Sequence, residues 1–180
     1  MAGSGAGPAV VVRRLGPGDE SVLALLARDD ADFDLEGGPG RRTPLPRASA
    51  RDYLADSHVL HWTAWAGEEI VGSLVCHVLP MRKQPTRELL LYEIGVRSAW
   101  RRRGVGRRLI TTMTDWMRAE SIVTAWVLAD NPGAEQFYAA CGFVEVEPVR
   151  DRLPDGVEIR FVRMRKELAR REAVEVQAER

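Results

Sequence analysis

The sequence predicts an α+β domain in which six to seven strands form a sheet flanked by about four helices. Three observations predict it. Seven short runs rich in Val, Ile, Leu and aromatic residues are separated by breaks carrying Gly, Pro or Asp. Four other segments read as helices, and in the clearest of them Val105, Leu109, Ile110, Met113, Trp116 and Met117 recur at helical intervals. Between the two patterns, the apolar run Leu89 to Val96 passes through a glycine-punctuated turn straight into that helix. A length of 180 residues suits one domain with a substantial core rather than two.

Residues 1–8 are Gly, Ala, Ser and Pro apart from the initial Met, and are expected to be disordered. Ala9 to Leu15 is a β-branched run, the first strand, and Gly16-Pro17-Gly18-Asp19 breaks it. Val22, Leu23, Leu25 and Leu26 predict a short helix capped by Asp19 or Ser21. From Asp29 to Arg47 the periodicity vanishes. Five carboxylates, Asp29, Asp30, Asp32, Asp34 and Glu36, precede a Gly, Pro and Arg stretch, which predicts a long loop or a helix end with a lid. A solvated charge run is the ordinary reading, but loops this long inside a domain are often functional. Ala48 to Asp56 predicts a helix capped by Ser49 that turns Tyr53 and Leu54 inward. His58 to Ala66 and Glu69 to Leu79 predict a hairpin closed by Gly67-Glu68. Pro80 to Thr86 is a turn before the Leu89 strand.

Ile122 to Leu128 is a further strand, and Asn131-Pro132 starts a helix over Gly133 to Ala140 that Gly142 ends in a left-handed conformation. Phe143 to Val149 and Val157 to Met164 alternate as strands about the turn Leu153-Pro154-Asp155-Gly156. From Lys166 the chain is mostly charge and alanine, a surface helix or a frayed end. The division expected is a disordered start (1–8), one domain (9–165) and a charged tail (166–180).

Basic and acidic residues number 26 each, so no overall field recruits nucleic acid or an acidic membrane. Cys76 and Cys141, without CxxC or metal spacing, fit a reducing compartment. The first ten residues lack the basic and apolar regions of a secretory signal, and no apolar run approaches a membrane span. A cytoplasmic protein is expected. His58 and His61 have no third ligand nearby, and His77 reads as a packed strand residue, so no metal is assigned.

The turn Arg101-Arg102-Arg103-Gly104-Val105-Gly106-Arg107 carries the chemistry. The first turn of a helix leaves backbone N–H groups unpaired at the positive end of its dipole. Gly104 and Gly106 have no Cβ, so a phosphate can approach the backbone, and Arg101, Arg102 and Arg103 add charge-assisted hydrogen bonds. Physics alone predicts a phosphate or diphosphate site. The dinucleotide pattern GxGxxG fails because its third glycine falls on Leu109, and GxxxxGK followed by Ser or Thr is absent. On spacing alone, a solvated basic stripe or a nucleic-acid patch remains open.

The turn resembles motif A of the GNAT superfamily of N-acetyltransferases, Gln/Arg-x-x-Gly-x-Gly/Ala, with Arg101, Gly104 and Gly106 at the defining positions. Downstream, Asn131, Ala134, Tyr138, Gly142 and Phe143 resemble motif B, Asn-x-x-Ala-x-x-x-Tyr-x-x-x-Gly-Phe. The resemblance covers about Val10 to Met164. It implies a twisted mixed sheet with helices on both faces and acetyl-CoA wedged where the central strands splay. It further implies that the Arg101 to Arg107 loop holds the CoA diphosphate. The main chain of Ile94, Gly95 and Val96 would pair with the pantetheine arm like an added strand, with Asn131 bonding that arm and the Val96 N–H serving the acyl oxygen.

In this resemblance Glu93 is the general base or substrate anchor, although a salt-bridged strand carboxylate is the plain alternative. Tyr138 is the general acid toward the departing thiolate, although its ring would serve a core equally well. Cys141 has no His partner beside it, so direct transfer is expected rather than an acyl-cysteine. More narrowly, Ile70 to Val96 resembles the aminoglycoside 3-N-acetyltransferases of GNAT type, through Val78-Leu79-Pro80, Gln84-Pro85 and the pair Tyr92-Glu93. That family carries Asp where this chain carries Glu93. The resemblance implies a polycationic small-molecule amine drawn by the carboxylates from Asp29 to Glu36, and leaves a homodimer open. Another small amine or polyamine, a protein lysine or N-terminus, and a non-catalytic CoA-binding module remain as alternatives.

Overall fold

The computed structural model describes residues 8–33, 43–82, 86–152 and 158–169. Its seven strands are β1 (Val10–Arg14), β2 (Val59–Ala66), β3 (Glu69–Pro80), β4 (Arg87–Val96), β5 (Thr124–Ala129), β6 (Val144–Arg152) and β7 (Glu158–Glu167). They form one sheet in the order β1-β2-β3-β4-β5-β7-β6. Only β4 and β5 run parallel, joined by the crossover helix α4 (Val105–Ala119); every other pairing is antiparallel. The remaining helices are α1 (Glu20–Arg28), a single turn α2 (Asp30–Phe33), α3 (Arg47–Ala55) and α5 (Pro132–Ala140). This is the α+β arrangement that the alternating strand and helix patterns predict. Among the described residues no helix is long and apolar enough to cross a membrane.

The helices pack where their apolar stripes dictate. Leu109, Ile110, Met113 and Met117 of α4 join Leu60, Trp62, Leu74, Leu89 and Leu91 of the sheet in the main core. Gly72 of β3 permits this contact: a Cβ there would stand 2.9 Å from Val105 Cγ1 and 3.1 Å from Leu109 Cδ1. A second cluster, Leu15, Val22, Leu26, Phe33, Leu54 and Ile70, seats α1, α2 and α3. Gly67 turns the β2–β3 hairpin at φ +63°. Asn131 caps α5 by accepting the Ala134 N–H at 2.9 Å.

One extra residue breaks the regularity of β4. Cys76 pairs with Leu91, but Val75 pairs with Glu93, so Tyr92 is a β-bulge. Strict alternation would send Glu93 to the same buried helix face as Leu89 and Leu91. The bulge turns it to the opposite face, beside Val75. Pairing of β4 with β5 extends only from Leu89↔Ala125 to Leu91↔Val127. Beyond it β4 stays with β3 as far as Val96↔Gly72, and β5 stays with β7 as far as Ala129↔Val162. The two central strands therefore part at the bulge, as the family resemblance implies.

Several local expectations are corrected. Asp19 occupies the N-cap position of α1, but its carboxylate accepts the Gly16 N–H at 3.0 Å rather than a helix N–H. Ser21 lies inside α1. Pro46, not Ser49, precedes α3, which has no side-chain cap; Ser49 lies inside the first turn, and Pro46 has no N–H for the Ser49 side chain to reach back to. Lys166 and Glu167 continue β7, with Leu168 N–H donating to Val123 O at 2.8 Å, because Thr124 and Ala125 of β5 are still there to be paired. The expected disorder at the N-terminus, except for Pro8, and the tail beyond Ala169 fall outside the described residues.

The absent Cβ of Gly72 sets the distance between α4 and the sheet. Gly72→Ala is expected to cost about 1–3 kcal/mol by overpacking, measured as a lower denaturant midpoint at unchanged m-value.

Candidate functional site

The turn before α4 is built from left-handed backbone. Arg102 has φ +62° and Gly104, the N-cap of α4, has φ +82°. No side chain caps this end of α4 and its first turn carries no acidic residue, so the dipole there is not offset. A Cβ on Gly104 would meet nothing within 4 Å, whereas one on Gly106 would lie 3.1 Å from the Phe137 ring of α5. The two glycines thus do different work. Gly104 supplies the turn and an open approach, and Gly106 lets α4 and α5 close together. Sequence spacing had assigned both to phosphate approach.

Arg101 and Arg103 have different partners. Arg101 Nε donates to Val96 O at 3.2 Å, and the Arg103 guanidinium lies 5.3 Å from the Trp100 ring centre. Arg107 lines a groove of about 310 Å³ between α4 and the end of α5, with Arg118, Cys141 and Lys166. Lys166 donates to the Cys141 carbonyl. Burial pushes the Cys141 thiol up while Arg107 and Lys166 pull it down, and the upward shift prevails. A protonated thiol there is a poor nucleophile.

A cavity of about 340 Å³ opens between the sheet and α1 and α3. Leu23, Leu26, Leu45 and Val75 wall it with apolar surface, and Tyr92 and Glu93 enter it from the bulge. Tyr92 is 63% exposed and meets the His77 ring edge-on at 5.3 Å. Behind them lies a polar array that the sequence reading did not single out. His61 Nδ1 is 3.2 Å from the Tyr53 hydroxyl and His61 Nε2 is 2.9 Å from the Ser73 hydroxyl. Burial lowers the His61 pKa from 6.5 to about 4, and burial together with the Glu93 charge raises that of Tyr53 to about 12. A signal for the array was present: His61 and Thr63 of β2, and Ser73 and His77 of β3, are polar positions within otherwise apolar strands.

Tyr138 does not line this cavity. It is 6% exposed in the main core, its ring 5.3 Å from Phe137 and 5.6 Å from Phe143. Asn131 Oδ1 serves the helix cap while its Nδ2 donates to Asp130 at 2.8 Å.

Of the acidic run, Asp29 and Asp32 are not among the residues that line the cavity. Arg97 binds Asp32 and Asp29, each at 2.8 Å, donates to Ile70 O at 3.0 Å, and reaches Glu69 at 3.3 Å. Its guanidinium also lies 5.0 Å from the Phe33 ring centre. The Ser98 hydroxyl donates to Asp32, and this bond, followed by the Ser98 N–H and Arg97, holds the Asp32 carboxyl below its usual range against a smaller effect of burial. Asp30 opens α2, and Asp34 and Glu36 lie outside the described residues. Among the described residues no cluster of three His, Cys, Asp or Glu side chains could hold a metal.

A model of the acetyltransferase (GNAT) family matches residues 26–143. A mycothiol acetyltransferase of Corynebacterium glutamicum is 35% identical over 118 residues, which is 64% of this chain and 38% of that protein. The N-alpha-acetyltransferase RimI of Mycobacterium tuberculosis is 32% identical over 103 residues, 57% of this chain and 63% of that one. The chain thus spans less than two thirds of either curated relative. Among solved structures, an aminoglycoside acetyltransferase from an uncultured soil metagenomic sample superposes with a TM-score of 0.69 and 26% identity, over 81% of this chain and 98% of that one.

The buried imidazole has a measurable signature. An unfolded chain protonates His61 near pH 6.5, whereas the folded protein resists protonation until about pH 4. Stability is therefore expected to fall as pH drops through that window, by at most about 3 kcal/mol. Chemical denaturation at several pH values should show this slope, and His61→Gln should flatten it.

Proposed function

The chain belongs to the acetyltransferase (GNAT) family, and from that premise we propose that it transfers the acetyl group of acetyl-CoA directly to a primary amine held in the cavity at Glu93. The observation that carries this reading is the Tyr92 bulge. It sends a carboxylate into the cavity at the level where β4 leaves β5 and its edge becomes free.

The residues present fit the cofactor. The uncapped N-terminus of α4, the open backbone at Gly104 and Arg101, Arg102, Arg103 and Arg107 suit a diphosphate. The extended main chain of Ile94, Gly95 and Val96 suits pairing with an extended arm, and the second Nδ2 hydrogen of Asn131 is a further donor. Acetyl-CoA, when bound, supplies an acyl group activated as a thioester.

The chain's own residues do the rest. Glu93 takes the proton that the acceptor ammonium must lose before its nitrogen can attack. The Val96 N–H donates to the acyl oxygen as negative charge grows there. The Tyr138 phenol supplies a proton to the departing sulfur.

For the acceptor, an aminoglycoside 3-amino group is the finer reading. It is supported by Val78-Leu79-Pro80 and Tyr92-Glu93 and by the likeness to the soil aminoglycoside acetyltransferase. Because Asp29 and Asp32 are engaged by Arg97, the attraction for a polycation falls mainly on Glu93. The likeness to the N-alpha-acetyltransferase favours a second reading, a peptide N-terminus.

Three measurements test these assignments. Glu93→Gln is expected to lower kcat about a hundredfold, with partial rescue at higher pH as more acceptor amine is already neutral. Replacing Arg102 and Arg103 together by Ala should weaken acetyl-CoA binding and flatten its dependence on salt; unchanged affinity would remove the loop from the cofactor site. Thiol release with sisomicin, spermidine and an alanine-initiated peptide should be fastest with sisomicin, and the product should carry acetyl on the 3-amino group. Brisk turnover of the peptide alone would replace the aminoglycoside reading with the second one.

A further inference from the structure

We infer that Tyr53 is a second acceptor-binding group, its phenol oxygen presented to the substrate ammonium beside Glu93 by a fixed chain through His61 to Ser73. The inference rests on reading the cavity as the acceptor site. Its basis is the arrangement of three strands and one helix. His61, Val75 and Glu93 are in register across β2, β3 and β4, so their side chains stand on the same face. Ser73 lies two residues from Val75 on that face, and Tyr53 comes down onto it from α3. All five residues line the one cavity.

The hydrogen count gives the chain a direction. A neutral imidazole has one donor and one acceptor, and here each ring nitrogen faces a hydroxyl, at 3.2 Å and 2.9 Å. If Nδ1 carried the proton, the Tyr53 oxygen would accept it and the phenol O–H would be turned outward, presenting a proton to an ammonium that has only protons to offer. With the proton on Nε2, that nitrogen donates to Ser73, Nδ1 accepts the phenol O–H, and the Tyr53 lone pairs face the cavity. Only the second direction matches a substrate that enters as a donor. It gives the ammonium two acceptors of different kinds, a carboxylate that can remove a proton and a phenol oxygen that cannot.

The burial of His61 serves the same end. A charged imidazole behind Tyr53 would reverse the polarity of the chain and repel the incoming cation. At 7% exposure the ring stays uncharged down to about pH 4. Tyr53 is likewise kept protonated by its surroundings, so its O–H remains available to Nδ1. Tyr53 therefore binds substrate, whereas His61 and Ser73 are positioning residues that act through it.

The test uses the full chain with acetyl-CoA and the amine that the wild type acetylates fastest among sisomicin, spermidine and an alanine-initiated peptide. Tyr53→Phe should raise the acceptor KM about tenfold, the loss of one hydrogen bond to a charged group, with the acetyl-CoA KM changed less than twofold. Ser73→Ala leaves Tyr53 in place and should raise the acceptor KM to a lesser degree. In parallel, ¹⁵N spectra of the His61 ring should show the proton on Nε2 in the wild type and a shift toward Nδ1 in Ser73→Ala. A Tyr53→Phe variant with wild-type acceptor KM, or one whose two KM values rise together, overturns the inference. If the wild type acetylates none of the three amines, the acceptor reading itself fails. The ring spectrum then decides the array alone, and a wild-type proton on Nδ1 overturns it.

Discussion

A single inserted residue, Tyr92, constrains most of what surrounds it. Before the bulge β4 is an ordinary central strand, with Leu89 and Leu91 buried under α4 and neighbours bonded on both sides. After it the side chains have changed faces and, among the described residues, no strand pairs with the edge that faced β5. A glutamate in the run Leu-Leu-Leu-Tyr-Glu-Ile-Gly-Val would be costly under strict alternation, because it would stand in the apolar core. Shifted by one position, it stands at the wall of a cavity instead, and Ile94, paired with Leu74, takes its place against the core. One local irregularity thus reconciles an apolar strand with a carboxylate and opens the sheet next to it.

The two faces of the sheet then divide the chemistry. On one, α4 and α5 approach closely because Gly72 and Gly106 lack side chains, and the N-terminus of α4 is left positive and uncapped at the strand ends. On the other, α1 and α3 stand over polar positions of β2 and β3 that no core would accept without mutual hydrogen bonds. The imidazole of His61 satisfies that condition at both nitrogens, which is why a histidine can sit so deep without becoming a charge. Anion-attracting backbone therefore stands on one side of the sheet, and hydroxyl, imidazole and carboxylate on the other.

Much of this was legible in the residues. The seven strands, the four longer helices and the loop Arg101–Arg107 follow from periodicity and glycine placement, because those patterns are local and period two and period 3.6 are easily told apart. The strand ends and caps were less secure: Asp19 and Ser49 are good capping residues by type, yet neither side chain caps its helix. The bulge was hidden because a register shift depends on the partner strand, and nothing within Leu91-Tyr92-Glu93 announces it. The array of Tyr53, His61 and Ser73 was missed for the same reason, since its members come from three elements up to twenty residues apart. The carboxylates of Asp29 and Asp32 were legible as charge but not as partners. Arg97, 68 and 65 residues away respectively, was invisible as the group that engages them.

That arginine ties together parts of the molecule that belong to different halves of the chain. It grips α1's end through Asp29, α2 through Asp32 and the Phe33 ring, and β3 through Glu69 and the Ile70 carbonyl, while standing immediately before the Ser98–Trp100 turn that leads to the glycine loop. A single guanidinium thus holds the end of α1, the turn α2, the start of β3 and the end of β4 against one another, so replacing Arg97 would release all four contacts at once.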